Sequence, residues 1–413
     1  MAGARVLVVG SGGREHALAM ALARSPAVAH LAYAGGDNAG LEAIAERLAP
    51  AAVEAEAARF DLIVIGPEAP LVDGLADRLR AAGALVFGPS EAAAQLEASK
   101  AFTKEICSAA GIPTAKAVIA NSAADALAAL AAMPAPPVVK ADGLAAGKGV
   151  VVAATMAEAE AAIRAAFSGA FGEAGSTVLL EERLEGREVS LFALSDGQTV
   201  IPFGTARDHK RALDGDAGLN TGGMGAVSPA PDLPADLVDT AMATIVKPAI
   251  DTLAARGTPY VGVLYAGLIL TAEGPKLIEF NVRFGDPEAQ VLLPRLASDA
   301  YALLHATAFG TLAGATPQFK NASVVGVTVA ANAYPAGSSR GEIISGLNAI
   351  EAAGATVVHA GTRREGALVA SNGGRVLTVV AEGPTPAAAR ETVYAALKHL
   401  DWPGGRYRTD IAQ

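Results

Sequence analysis

Short apolar runs that end in glycine punctuate the first hundred residues. Residues 5–10 (with Val6, Leu7, Val8 and Val9 before Gly10), 30–34, 61–66 and 84–88 each read as a strand buried on both faces. The stretches between them, 15–23, 41–58 and 71–82, read as helices. Strands alternating with helices predict a parallel sheet with ligands at its carboxyl edge. A longer helix is predicted over 89–111, with Ser90 as its N-cap and Gly111-Ile112-Pro113 as its stop. On it Lys100 and Lys104 share one face.

The pattern then changes. Residues 116–120 and 177–184 read as strands, 122–133 and 156–167 as helices, and 138–153 as two short strands around a glycine loop. Strands follow at 188–194 and 200–203, then a polar loop over 204–229 and a helix over 235–255. The strands 260–270 and 276–281 are joined by Thr271-Ala272-Glu273-Gly274, the spacing of a hairpin, and helices 287–296 and 298–309 follow. The last hundred residues hold strands at 323–331, 356–360 and 375–382 and a helix at 386–399, with no cluster of acids, bases or ligands.

With 413 residues the chain is too long for one core. The pattern divides it into an N-terminal parallel-sheet unit (1–100), a linking helix and lid (101–187), a body (188–318) and a C-terminal unit of mixed α/β structure (319–413). The class is α/β, with α+β character in the lid. A net charge of −10 argues against nucleic acid or an anionic membrane as partner. Residues 1–10 run straight into a strand, without a secretory pattern, and Cys107 is the single cysteine, so a reducing cytoplasm is the expected location.

Six stretches carry candidate chemistry. Gly10-Ser11-Gly12-Gly13 joins a strand to a helix start, where an anion can bind; Glu15 stands where a dinucleotide fingerprint needs its third glycine. The turn is therefore a phosphate or polar-ligand site, or a turn that binds nothing. Glu68 follows the third strand, as a ligand or as a helix cap. In the flap, Gly143, Gly147 and Gly149 allow close backbone approach to an anion, and Lys140 and Lys148 add charge. Its spacing is not that of the common phosphate loop, and the hydroxyl after Lys148 is absent. Glu279 and Asn281 lie two apart on a strand, so both point to one face and offer hard oxygens suited to Mg²⁺ on phosphates; Arg283 and Asp286 follow. Residues 177–188, with Glu181, Glu182, Leu184 and Glu188, read as a hinge between lid and body, or as an exposed acidic linker. Arg207-Asp208-His209-Lys210-Arg211, followed by Asn220 to Gly225 with Gly222 and Gly223, suits an anionic substrate, although a charge run is more often a solvated loop.

The flap with Ile278-Glu279-Phe280-Asn281-Val282-Arg283-Phe284-Gly285-Asp286-Pro287-Glu288 resembles the ATP-grasp superfamily. Within it, Gly10 to Leu18, Gly66 to Leu71, Asp208 to Arg211 and Asn220 to Ala226 are similar to the phosphoribosylamine–glycine ligase (GAR synthetase) family, and the likeness covers nearly the whole chain. Ser11 departs from it, where that family often has Asn. The resemblance implies an ATP-grasp fold and ATP-dependent ligation of glycine to 5-phosphoribosylamine through a glycyl phosphate. It implies ATP contacts from Lys104, Lys140, Gly147, Lys148 and Gly149 and a nucleoside pocket from Glu181, Glu182, Leu184 and Glu188. Mg²⁺ or Mn²⁺ falls to Glu279 and Asn281. Arg283 and Asp208 are expected to orient substrate and steady transition-state charge; Gly12, Gly13, Glu68, Lys210, Gly222, Gly223 and Asp286 are expected to line the substrate site. A monomer or weak dimer is expected. The competing readings are another ATP-grasp carboxylate–amine ligase and a non-catalytic nucleotide-binding protein.

Overall fold

The structure, a computed structural model, describes residues 3–144 and 149–413. Gly147 and Lys148 lie outside the described residues. The N-terminal strands form a five-stranded parallel sheet in the order Glu46–Leu48, Val28–Ala34, Ala4–Val9, Leu62–Ile65, Val86–Phe87. Strand order reverses beside Ala4–Val9, so the turns after Val9 and Ile65 face one crevice. Those turns carry Gly12, Gly13 and Glu68.

Three predicted helices are broken. Residues 41–58 hold a single turn Leu41–Ile44, then the edge strand Glu46–Leu48 and short turns from Pro50 onward. Proline has no N–H to continue a helix, and Leu48 is buried on the sheet. Residues 71–82 split at Gly74, whose φ of +75° is left-handed. Residues 89–111 split at Ser99, which is extended and caps the second helix, Lys100–Ala110, by accepting the Phe102 N–H at 3.0 Å.

The lid is a four-stranded antiparallel sheet in the order Ala117–Ala120, Val178–Glu181, Val138–Ala141, Val150–Val152. The helices Ala123–Ala132 and Met156–Ala165 contribute Leu130 and Ile163 to a separate core with Val139 and Leu180.

Body and C-terminal strands share one sheet, ordered Gly274–Asn281, Val261–Thr271, Arg187–Asp196, Val200–Asp208, Gly225–Ser228, Ser323–Ala331, Arg375–Gly383, Thr356–His359. The predicted polar loop 204–229 is therefore largely strand. Arg207 and Asp208 pair with Val227 and Ala226, and Gly225–Ser228 pairs with Ser323–Ala331. Its polar composition hid short strands, one of which also pairs with a strand far along the chain. Between them projects a small hairpin, Arg211–Leu213 with Ala217–Asn220. Among the described residues, no helix is long and apolar enough to cross a membrane.

Candidate active site

The strand Gly274–Asn281 runs beside Val261–Thr271, with Glu279 opposite Gly267 and Asn281 opposite Tyr265. The register slips at Ile278, a bulge that directs its carbonyl to the Lys140 Nζ at 3.2 Å. Asn281 is buried and Glu279 half-buried. Among the described residues, no hydrogen bond or ion pair engages either side chain, so two hard oxygen donors face the site together. No described group of three His, Cys, Asp or Glu side chains makes a complete metal cage, so a cation here needs phosphate or water oxygens to fill its shell.

Beside this face, Glu181 binds two lysines: Lys140 Nζ at 2.7 Å and Lys104 Nζ at 3.1 Å. Lys104 also donates to Thr114 Oγ1 at 2.9 Å and to the Ala115 carbonyl at 2.8 Å, and burial lowers its pKa despite Glu181. Lys104 is thus held by three protein groups. Burial also lowers the pKa of its helix neighbour Lys100, and the Glu279 carboxylate opposes this. Lys100 Nζ donates to the Gly143 carbonyl at 3.0 Å. Asp142, at the root of the flap, accepts the Lys100 and Ala101 N–H groups at 2.6 and 3.2 Å, capping that helix. Gly149 closes the flap by accepting the Ala141 N–H at 2.8 Å.

Across the hinge, Glu182 pairs with Lys116 through backbone and carboxylate. Among the described residues, the Leu184 N–H and C=O have no hydrogen-bond partner. Glu188 takes Lys210 Nζ at 2.8 Å, and Asp208 lies 3.4 Å from the same ammonium. Lys210 lowers the Glu188 pKa, and Asp208, Tyr265 and Glu188 together outweigh burial and raise that of Lys210. Beneath them Glu288 is buried near Ser190 and Tyr265; burial and the Asp208 charge push its carboxyl up to about 7.

At the N-terminal crevice, Arg283 bridges Glu68 at 3.2 Å and Glu97 at 2.7 Å, and Glu97 also accepts the Val282 N–H at 2.7 Å. Burial works to raise the Glu68 carboxyl, but Arg283 and Arg14 outweigh it and hold it low. Glu68 lies in the first turn of the helix Glu68–Val72, so it both favours that helix and meets Arg283. Gly12 donates to the Glu15 carboxylate at 2.6 Å, so an internal anion already takes one N–H of this turn. A side chain at Gly13 would put its Cβ 2.6 Å from Gln290 Nε2, and one at Gly12 would sit 3.6 Å from Asp286.

Asp286 accepts Gln290 Nε2 at 2.8 Å and lies 3.4 Å from Arg375; burial would raise its pKa, but Arg375 and Arg14 hold it low. Arg375 also donates to the carbonyls of Gly222, Gly223 and Asp286. Gly223 has a left-handed φ of +113°, and a Cβ there would strike Pro287 at 2.3 Å. The site thus draws on all four units. Sequence reasoning put Lys100 and Lys104 on one face without telling their partners apart, and it missed Glu97, Glu288 and Arg375. The C-terminal unit, read as lacking site residues, supplies Arg375.

A lid of antiparallel strands over a body sheet, with two lysines on one side and a Glu/Asn pair on the other, defines an ATP-grasp enzyme. Family models agree along the chain: the phosphoribosylglycinamide synthetase N domain matches residues 4–97, its ATP-grasp (A) domain 98–289 and its C domain 324–413. The chain is 50% identical to the phosphoribosylamine–glycine ligase of Brucella melitensis, over 98% of this chain and 97% of that one. It is 48% identical to that of Streptomyces coelicolor, over 99% and 98%. A crystal structure of phosphoribosylamine–glycine ligase from Thermotoga maritima superposes with a TM-score of 0.85 at 30% identity, covering 98% of this chain and 100% of that one. An N5-carboxyaminoimidazole ribonucleotide synthetase, solved as an ADP complex, shares the fold at a TM-score of 0.68 and 16% identity, covering 96% and 97%. The chain belongs to the phosphoribosylamine–glycine ligase family and is a ligase.

Proposed function

We propose that the chain joins glycine to 5-phosphoribosylamine at the expense of ATP, giving glycinamide ribonucleotide, ADP and phosphate, as a step of purine biosynthesis in the cytoplasm. A glycine carboxylate oxygen attacks the γ-phosphorus and ADP leaves. The amine of phosphoribosylamine then attacks the acyl carbon, phosphate leaves, and the amine gives up a proton. Such chemistry needs charge neutralisation and positioning rather than an enzyme nucleophile.

One observation carries this reading: the single stretch 278–283 meets Lys140 of the lid through the Ile278 carbonyl, carries Glu279 and Asn281, and meets Glu68 of the parallel-sheet unit through Arg283. It joins the lid to the crevice of the parallel sheet. Lys140 holds phosphate, with Lys100 beside it and Lys104 acting through Glu181. Gly147, Lys148 and Gly149 cover the phosphates. Glu182 and Leu184 frame the base, Leu184 through its peptide groups, and Glu188 takes ribose. Glu279 and Asn281 hold a divalent cation, Mg²⁺ or Mn²⁺, which when bound neutralises charge on the phosphates. Arg283, fixed by Glu68 and Glu97, orients glycine and the acyl phosphate. Asp208, Lys210, Asp286, Gly222 and Gly223 line the substrate side, with Gly12, Gly13 and Glu68 towards phosphoribosylamine. The division at 100, 187 and 318 follows the same roles: amine site, lid, body and C-terminal support.

The test is phosphate release from MgATP and phosphoribosylamine with and without glycine. Release that depends on both substrates is expected; release indifferent to glycine contradicts the reading.

A further inference from the structure

The hairpin at 211–220 has almost no core of its own. Leu213 and Leu219 are 51% and 64% exposed, and only Ala212 is buried. A lone two-stranded hairpin is marginal in water, so something outside must hold it. That support is the end of the chain. Arg408, 2% exposed, donates through Nη1 to Asp216 at 2.8 Å and to the Arg211 carbonyl at 3.0 Å. Its Nε and Nη2 form a two-point pair with Asp410, both at 2.7 Å, and Asp410 in turn accepts the Gly215 N–H at 2.8 Å. Thr409 N–H reaches Asp214 at 2.8 Å, and Arg406 reaches the Ala212 carbonyl at 2.6 Å. The root of the hairpin is the site itself. The Lys210 carbonyl accepts both the N–H and the hydroxyl of Thr221, each at 2.8 Å, while the Lys210 ammonium meets Glu188 and Asp208.

We propose that Arg408, fixed by Asp410, is a positioning residue for the ligation site: acting through the 211–220 hairpin, it sets Lys210 between Glu188 and Asp208. Arg408 touches no reacting group. The proposal rests on the reading of Lys210 as a substrate-side residue.

The test is a double-mutant cycle in the full chain with MgATP, glycine and phosphoribosylamine. Arg408→Ala is expected to lower kcat/KM by about tenfold to 10²-fold, the cost of a displaced group. Lys210→Ala is expected to lower it at least as much, and the double variant no further than Lys210→Ala alone. Amide exchange in 211–220 should accelerate in Arg408→Ala. Because Arg408 is buried, a second variant acts from the exposed side: Asp214→Ser with Asp216→Asn, where Asn tolerates the left-handed φ of +51° at 216. It should show the same non-additivity with Lys210→Ala, even if Arg408→Ala fails to fold. Effects that multiply, or an unchanged kcat/KM in the Asp214/Asp216 variant beside an impaired Lys210→Ala, would overturn the proposal alone. A fully active Lys210→Ala would overturn the reading of Lys210 and the proposal with it.

Discussion

Two glycine-containing hairpins border the same site, and they are anchored in opposite ways. The flap hairpin, Val138–Ala141 with Val150–Val152, belongs to a four-stranded sheet with its own core, and Asp142 ties its root to a helix N-terminus. The hairpin of residues 211–220 has two strands and exposed leucines, and is held by polar bonds from the far end of the chain. The first is anchored within the lid, by that unit's own sheet and core. The second stays where the C-terminal unit puts it. Under the proposed function this difference suits the two roles: a cover over nucleotide gates access, whereas a substrate-side lysine stays in register with its carboxylates.

The largest effect is expected on the floor that both hairpins border. Glu279→Ala should lower turnover by about 10³-fold, as removal of a transition-state electrostatic group does, with the thermal melt unchanged. Near-normal turnover would mean that neither hairpin borders a metal face. The contrast in anchoring is sharpened next at Glu181. Glu181→Ala leaves Lys140 and Lys104, with side chains only 5% and 12% exposed, without their carboxylate. Breaking a buried pair in this way costs about 3–5 kcal/mol, read by urea unfolding. Asp214→Ala on the exposed hairpin should cost under about 1 kcal/mol by the same measurement. Equal losses would erase the distinction.

The C-terminal unit that supports the second hairpin is itself held to the N-terminal sheet. His16 Nδ1 accepts the His359 N–H at 2.9 Å, and buried Asn38 donates to the carbonyls of Ser11, His359 and Ala360. Burial, and the positive charge that each would face, lower His16 to about 3 and His359 to about 4. Both therefore stay neutral in the fold while the unfolded chain protonates near 6.5. Their contribution is fully present above pH 6.5 and is lost as pH falls towards the folded values. Each histidine should cost about 1.4 kcal/mol per pH unit in that window. His16→Asn should flatten the decline of melting temperature between pH 6 and 4.5; an unchanged slope would contradict the neutral pair. A small effect is also expected at the flap root, where Asp142→Ala should cost about 1 kcal/mol as a lost helix cap and loosen the lid in amide exchange.

Local features were legible in the sequence. The parallel strands announced themselves as apolar runs, the flap as strand–glycine loop–strand, and Glu279 and Asn281 as a two-residue step on a strand. Pairings across long separations were not. Arg283 finds Glu97 186 residues away, Arg375 finds Asp286 89 away, and Arg408 finds the Arg211 carbonyl 197 away. Strand Gly225–Ser228 looked like loop because it is short and one of its two partners starts only at Ser323. The i,i+4 step put Lys100 and Lys104 on one face but could not say that Glu181, Thr114 and Ala115 would capture Lys104.

Glycine labelled with ¹⁸O in both carboxyl oxygens tests the ligation most directly. If the carboxylate attacks the γ-phosphorus and the amine then expels phosphate, each phosphate released in turnover with phosphoribosylamine carries one ¹⁸O. Phosphate free of label, with glycinamide ribonucleotide still formed, would contradict the account.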